Sequence, residues 1–309
     1  MLNEYTVRYT TLTLTIAMKS VENFNAGDNS KYKIPREVIE KLENCQNLKK
    51  EIIVVDDETG SFYSGTLNSK NQKHGFGVFM KKNGERYEGF FENDVFNSFG
   101  RYINEKGEIY EGLFDNWKLN GEGKLLKGDK HYEGTFFYGS RNGLGREISD
   151  AEDYEGTFKN DKKDGRGKLF FIKSGNTYTG DFKEGKMTGN CEFLWKNGDR
   201  YEGNIVNGVF DGRGKYFWND GMEYEGNYDK GVRRGFGVFK WKDGKIYKGE
   251  FENNVPHGNG VIIHNGIEKN VKSQYGSSVN ATMDSNKQNK SMKKTIGSNE
   301  DNNKFLVNV

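Results

Sequence analysis

Through most of the chain, apolar and polar residues alternate with a period of two, in short runs broken by glycine-bearing turns. In Tyr201-Glu202-Gly203-Asn204-Ile205 the tyrosine, glycine and isoleucine share one face and Glu and Asn share the other, as the alternation of side chains along a strand requires. The run Gly235-Phe236-Gly237-Val238-Phe239-Lys240-Trp241 alternates likewise, with both glycines and two aromatics on one side. Dipeptides such as Asn197-Gly198 and Asp243-Gly244 separate the runs, and such pairs favour tight hairpin turns with positive φ. The pattern predicts pairs of short antiparallel strands.

These pairs recur. Tyr-x-Gly begins at Tyr63, Tyr87, Tyr110, Tyr132, Tyr154, Tyr178, Tyr201, Tyr224 and Tyr247, at spacings of 24, 23, 22, 22, 24, 23, 23 and 23 residues. Its glycines are Gly65, Gly89, Gly112, Gly134, Gly156, Gly180, Gly203, Gly226 and Gly249. Eleven or twelve residues into each unit comes Gly-x-Gly, as at Gly75/Gly77 and Gly212/Gly214; two units depart from it, with Ser98/Gly100 and Gly189/Cys191. A turn glycine precedes most of the following tyrosines, so that 33 of the 41 glycines fall in register. A fixed period of this length marks a repeat array. Nine units spanning 61–269 predict an all-β, elongated, single-layer antiparallel meander of about eighteen hairpin strands, extending about 85 Å at the usual strand spacing.

Glycine inside a strand normally weakens it, so regular placement demands a packing reason. The bare backbone at Gly203 or Gly237 leaves a slot in which rings of adjacent strands lie flat. Aromatic side chains then bury area against one sheet without a second layer, each ring contributing about 1.5–3 kcal/mol and ring pairs about 0.5–1.5 kcal/mol more. Backbone ordering costs about 1–2 kcal/mol per residue, so a lone unit should not fold and neighbours must stack.

The unit Tyr-Glu-Gly-x-Phe, followed by Gly-x-Gly-x-aromatic and closed by Asn/Asp-Gly, resembles the MORN repeat (membrane occupation and recognition nexus). Close matches are Tyr224-Glu225-Gly226-Asn227-Tyr228 with Gly235-Phe236-Gly237, and Tyr247-Lys248-Gly249-Glu250-Phe251 with Gly258-Asn259-Gly260. The resemblance covers about two thirds of the chain and implies the same elongated single-layer meander. The fourth unit departs: Asp150-Ala151-Glu152-Asp153 replaces its closing turn glycine, and Arg146-Glu147-Ile148 carries no aromatic. It is expected to form a bend or a weak joint.

Residues 1–60 do not repeat. Val38, Ile39, Leu42, Cys45 and Leu48, with Glu and Lys between them, fit an amphipathic helix over about 35–48 opening at Pro35, and Glu51 to Val55 reads as a strand. The pair is expected to form a short α/β cap over the first sheet edge, the alternative being a docking helix for a partner. From 270 to 309 the chain turns Asn-, Ser- and Lys-rich, and a disordered basic tail is expected.

Composition narrows function. Formal charge is +2 with 30% charged residues well mixed along the chain, which argues against nucleic-acid binding. No apolar run reaches transmembrane length. Cys45 and Cys191 lie too far apart in sequence for a metal-ligand spacing or a disulfide framework, so a reducing, cytoplasmic setting is expected. The glycines lack the Gly-Lys-Ser/Thr of a phosphate loop. His74 and His257 each precede a Gly-x-Gly, a structural position. The periodic row Glu88, Glu111, Glu133, Glu155, Glu202 and Glu225 spaces its carboxylates about 10 Å apart, too far for shared acid–base work but suited to cross-strand pairing with Lys. Some members of the family carry an appended kinase or methyltransferase domain, for which this chain has no room. No catalytic residue, metal or cofactor is expected.

The leading expectation is a non-catalytic scaffold that assembles protein partners at cytoskeletal, axonemal or membrane-associated structures, with self-association also open; this part follows from the resemblance. The alternatives are a peripheral membrane module binding anionic phosphoinositide lipids through Lys81, Lys82, Arg233, Arg234, Lys240 and Lys242, and an accessory subunit of an enzyme carried on another chain. Interleaved acids would make any such lipid attraction modest.

Overall fold

The computed structural model describes residues 52–56 and 59–276. Among these it contains strands and turns and no helix. The chain divides into two units, 1–149 with 159–161, and 150–158 with 162–309. The division at 149/150 falls where the sequence loses its turn glycine.

In the first unit, β1 (Ile52–Asp56), β2 (Ser61–Leu67), β3 (Lys73–Met80), β4 (Arg86–Glu92), β5 (Val95–Ile103), β6 (Ile109–Asp115), β7 (Lys118–Lys127), β8 (Lys130–Phe137) and β9 (Ser140–Ile148) pair antiparallel in chain order. The second holds β10 (Glu152–Lys159), β11 (Lys162–Phe171), β12 (Asn176–Lys183), β13 (Lys186–Leu194), β14 (Arg200–Val206), β15 (Val209–Phe217), β16 (Glu223–Asp229), β17 (Val232–Lys240), β18 (Ile246–Glu252), β19 (Val255–His264) and β20 (Ile267–Ser273). From β11 onward these too pair antiparallel in chain order.

Each repeat is one hairpin, and its turn chemistry explains its shape. Two-residue turns such as Asn93-Asp94, Asn160-Asp161 and Asn207-Gly208 have positive φ at both positions, the geometry whose twist matches paired strands. The first glycine of Gly-x-Gly sits in a bulge. Gly203 pairs with Gly214 and Ile205 with Phe210, so three residues of β15 face Asn204, and Gly212 adopts φ +89° among them. Glycine tolerates that conformation without steric cost.

In each unit the core is a row of rings on one face of its sheet. Tyr63, Tyr87, Tyr132, Tyr154, Tyr178, Tyr201, Tyr224 and Tyr247 are buried together with the aromatic residues that alternate with them. The other face carries the periodic glutamates, several of which pair across strands as expected: Arg101 with Glu111 at 3.2 Å, Lys124 with Glu133 at 3.6 Å and Arg213 with Glu225 at 3.1 Å.

Three sequence expectations need restating. Residues 35–48 lie outside the described residues, as does the tail beyond 276. The strand expected at 51–55 is β1, which pairs with β2. The disorder expected from 270 is not found over 270–273, since Asn270 pairs with Val261 and Ser273 with Gly258. Composition misled there because β20 is a polar final strand. The Asn265-Gly266 turn, both residues at positive φ, folds it back onto β19.

Candidate interaction surface

The tyrosine slot can be built from one repeat. Gly203 and Gly214 face each other across β14 and β15. A Cβ added to Gly203 would lie 2.5 Å from the Gly214 Cα, and one added to Gly214 would lie 2.5–2.6 Å from the ring carbons Cε2 and Cζ of Tyr201. The ring therefore lies on bare backbone of its own hairpin. Its hydroxyl donates to the Asn204 carbonyl at 2.8 Å. The equivalent bond, from tyrosine to the carbonyl three residues on, recurs for Tyr63, Tyr132, Tyr154, Tyr178, Tyr224 and Tyr247 at 2.7–3.1 Å. Thus the slot exists as expected: Tyr201 of β14 lies on Gly214 of the adjacent β15 and Tyr224 of β16 on Gly237 of β17, while each tyrosine also covers the glycine two residues on in its own strand, Gly203 and Gly226.

Two repeats are built differently. Beside Gly89 and Gly100 the side chain that would be struck is Phe96, and beside Gly112 and Gly123 it is Leu119. Tyr87 leans instead on Tyr102, with ring centroids 4.5 Å apart, and on Trp117 at 4.9 Å. The Tyr110 hydroxyl donates to Glu108 at 3.3 Å, and burial raises its phenol to about 12.

One column of the repeat escaped sequence reasoning, namely the residue two before Gly-x-Gly. It covers the ring. The Lys73 ammonium lies 5.7 Å from the Tyr63 centroid, Arg141 5.3 Å from Tyr132 and Lys163 4.9 Å from Tyr154, while Phe210 stacks on Tyr201 at 3.7 Å. A cation over a ring face is favourable. The signal was present as a column reading Lys73, Phe96, Leu119, Arg141, Lys163, Met187, Phe210, Arg233 and Pro256. Its backbone is also tied to the next repeat: the amides of Lys73, Arg141 and Arg233 donate to the side chains of Asp94, Asp161 and Asn254 at 2.8–2.9 Å.

This column corrects one candidate lipid contact. Arg233 is only 3% exposed. Its guanidinium sits 5.3–5.9 Å from the rings of Trp218, Tyr224, Phe239 and Phe251, and it donates to the Asn254 carbonyl at 2.8 Å. Burial lowers its pKa. Alternation put it on the ring face, where an anionic surface cannot reach it. Its neighbour Arg234 is outward but holds Asp229 and Glu252, each at 2.8 Å. Lys81 pairs with Glu85 at 2.5 Å and Lys240 with Glu223 at 3.6 Å, whereas Lys82 and Lys242 are exposed. In the second unit, then, Arg233 is withdrawn among the rings while Arg234 and Lys240 are held by acids.

The glutamate face of the second unit instead offers a mixed row. Register places Phe170, Thr177, Leu194, Arg200, Phe217, Glu223, Lys240 and Ile246 side by side on successive strands. Phe170 and Leu194 are exposed. Arg200 lies over the Phe217 ring at 4.2 Å, and Glu223 is held by Lys215 at 3.4 Å and Lys240 at 3.6 Å. Apolar positions are thus interleaved with fixed charges across neighbouring strands. Such a surface can bind by burying its apolar side chains and orient a partner through its charges.

Comparison with known proteins agrees with the repeat. The family model described as the MORN repeat matches residues 63–86, 87–108, 132–150, 154–174, 178–200, 201–223, 224–246 and 247–265. That gives eight matches for nine hairpins; the unmatched one begins at Tyr110, where Leu119 has taken the tyrosine's slot. The match is to a structural repeat and indicates no enzymatic family. No curated protein matches the chain significantly. Among solved structures, the TCP10 domain of Danio rerio CPAP in complex with a peptide of Danio rerio STIL is similar at 11% identity and a TM-score of 0.39, over 68% of this chain and 99% of that one. The SAS-4 (dCPAP) TCP domain of Drosophila melanogaster with a proline-rich motif of Ana2 gives 10% and 0.25, over 72% and 90%. A streptogramin B lyase gives 12% and 0.14, over 74% and 86%. Likeness at these TM-scores says nothing about ligands. With the family model matching more than half of its residues, the chain belongs to the MORN-repeat family.

Proposed function

We propose that this chain is a non-catalytic scaffold that binds a protein partner along the glutamate face of its second unit, in the cytoplasm at cytoskeletal or membrane-associated structures. The observation that carries the reading is the mixed row of Phe170, Leu194, Phe217 and Ile246 interleaved with Arg200, Glu223 and Lys240. These outward apolar side chains have no role in the ring core, which lies on the other face. The test is capture of partners by the intact chain and by a Phe170→Ser/Leu194→Ser chain, both assayed in moderate salt. Partners bound by the first and lost by the second support the reading; identical sets refute it. Flotation with vesicles containing phosphoinositide separates the lipid alternative, which predicts binding that is abolished as salt screens the charges.

A further inference from the structure

The glutamate face is not uniform. In β3 to β6 a lateral row on that face is apolar: Phe76 pairs with Phe90, and Phe99 with Leu113. The same two columns in the second unit read Arg213 with Asn227, and Phe236 with Glu250. Phe99 and Phe236 are equivalent, each the central residue between the paired glycine positions of its repeat. Phe236 is 57% exposed, yet Phe99 is 8% and Phe90 6% exposed.

Cross-strand neighbours do not account for this difference. Phe76 meets Phe90 edge-on at 5.8 Å, which covers the flank of a ring. Neighbours on one sheet face rise to the same height, so the tops remain open unless a further element lies over them. The glutamates agree. The Glu88 side chain is 9% exposed, against 45% for Glu202 and 48% for Glu225 in the same column. Glu111, which faces Glu88 across Arg101, has its carboxyl raised by burial.

We propose that residues 35–48 of this same chain lie as a helix across β3 to β6, seating Val38, Leu42 and Cys45 on Phe76, Phe90, Phe99 and Leu113. The position follows from register. Ile52 pairs with Gly65, Gly65 with Gly77 and Gly77 with Gly89, so the chain joins β1 at the level of the apolar row and two strands from its first ring. A helix of this length spans about 21 Å, and the row crosses three strand spacings, about 14 Å. Lys41, next to Leu42, falls on the flank facing Glu88 or Glu111. This differs from a cap on the sheet edge, because β1 already pairs with β2. The segment would close the glutamate face of the first unit and leave that of the second open, a step beyond the scaffold reading and independent of it.

The test uses the full chain carrying Cys191→Ala, which leaves Cys45 as its one thiol, and adds Val78→Cys, Leu113→Cys or the control Asn227→Cys. Under mild oxidation in dilute solution, a docked helix holds its thiol near the target at an effective concentration in the millimolar range. An intramolecular disulfide at position 78 or 113 that forms at least about tenfold faster than at 227 supports the proposal. Equal rates overturn it, as do disulfides only between chains, which would make a second copy the occupant. Should a variant lose its β circular dichroism, amine cross-linking of the unmodified chain decides. Links from Lys41 to Lys82 or Lys124 are expected, and their absence, with or without links to Lys168 or Lys248, overturns the proposal.

Discussion

Gly214→Ala tests the slot directly. The new methyl group would fall 2.5–2.6 Å from ring carbons of Tyr201, a residue with no exposed surface, and the ring has nowhere to retreat. It is stacked on Phe210 at 3.7 Å with an interplanar angle of 16°, meets Tyr228 edge-on at 5.5 Å and is anchored by its hydroxyl to Asn204. Displacing it costs about 1–3 kcal/mol of overpacking, about 1 kcal/mol for the hydrogen bond and about 0.5–1.5 kcal/mol of ring geometry. Gly214 does not have a positive φ, so alanine also removes unfolded-state freedom and returns about 0.4–1 kcal/mol. The net expectation is a loss of about 1.5–5 kcal/mol, measured by urea unfolding followed by circular dichroism. The decisive comparison is the same substitution in a Tyr201→Ala background, where the obstacle is gone and the penalty should disappear. A penalty that is the same in both backgrounds, or below about 1 kcal/mol in the first, would refute the slot as the reason for glycine.

Ser98 occupies, at φ +72°, a position that is glycine in the other eight hairpins. Relief of about 1–2 kcal/mol of left-handed strain, less about 0.4–1 kcal/mol of added unfolded freedom, predicts that Ser98→Gly raises the urea midpoint; a fall would contradict this account. Burial raises the phenols of Tyr178, Tyr201, Tyr216, Tyr224 and Tyr228, Tyr224 to about 12. Below pH 10 these groups are neutral in both states; above it the unfolded chain ionises first and the folded chain holds the extra protons, so stability falls as pH rises. Ultraviolet titration should show some of the 17 tyrosines ionising near pH 10 and the rest only with loss of the β signal. Smooth ionisation of all of them near pH 10 with the fold intact would count against the ring core. Burial also pushes the Cys191 thiol to about 12. In a Cys45→Ala chain it should react with a disulfide reagent at least about 100-fold more slowly in buffer than in urea, as expected for a thiol lacking thiolate; comparable rates would mean the slot opens readily.

Much of the fold was legible because the constraint repeats. A glycine that must be bare at Gly203 must be bare again at Gly226, so the period, the strand faces and the turns could all be read from spacing. What sequence did not convey was which ring fills each slot. Tyr87 and Tyr110 carry the same Tyr-x-Gly as the others, yet Phe96 and Leu119 sit on their glycines. That choice depends on the shape of neighbouring side chains, here Trp117 and Tyr102 drawing Tyr87 aside. Basic residues were similarly opaque: Arg233 and Arg234 are adjacent letters, but alternation sends one among the rings and the other to Asp229 and Glu252. The mixed row of Phe170 and Leu194 was hidden because its members lie on different strands and become neighbours only through register.

Among the described residues of each unit, a strand hydrogen-bonds to the strands immediately before and after it in the sequence. Every closure is therefore short, and the low contact order favours rapid assembly from any hairpin outward. It also makes the module count a free variable: removing or duplicating one whole module rejoins strands that already share the same register. Changing the number of modules should therefore cost little beyond the area that one module buries, whereas a side chain added at a slot glycine strikes the ring or backbone facing it.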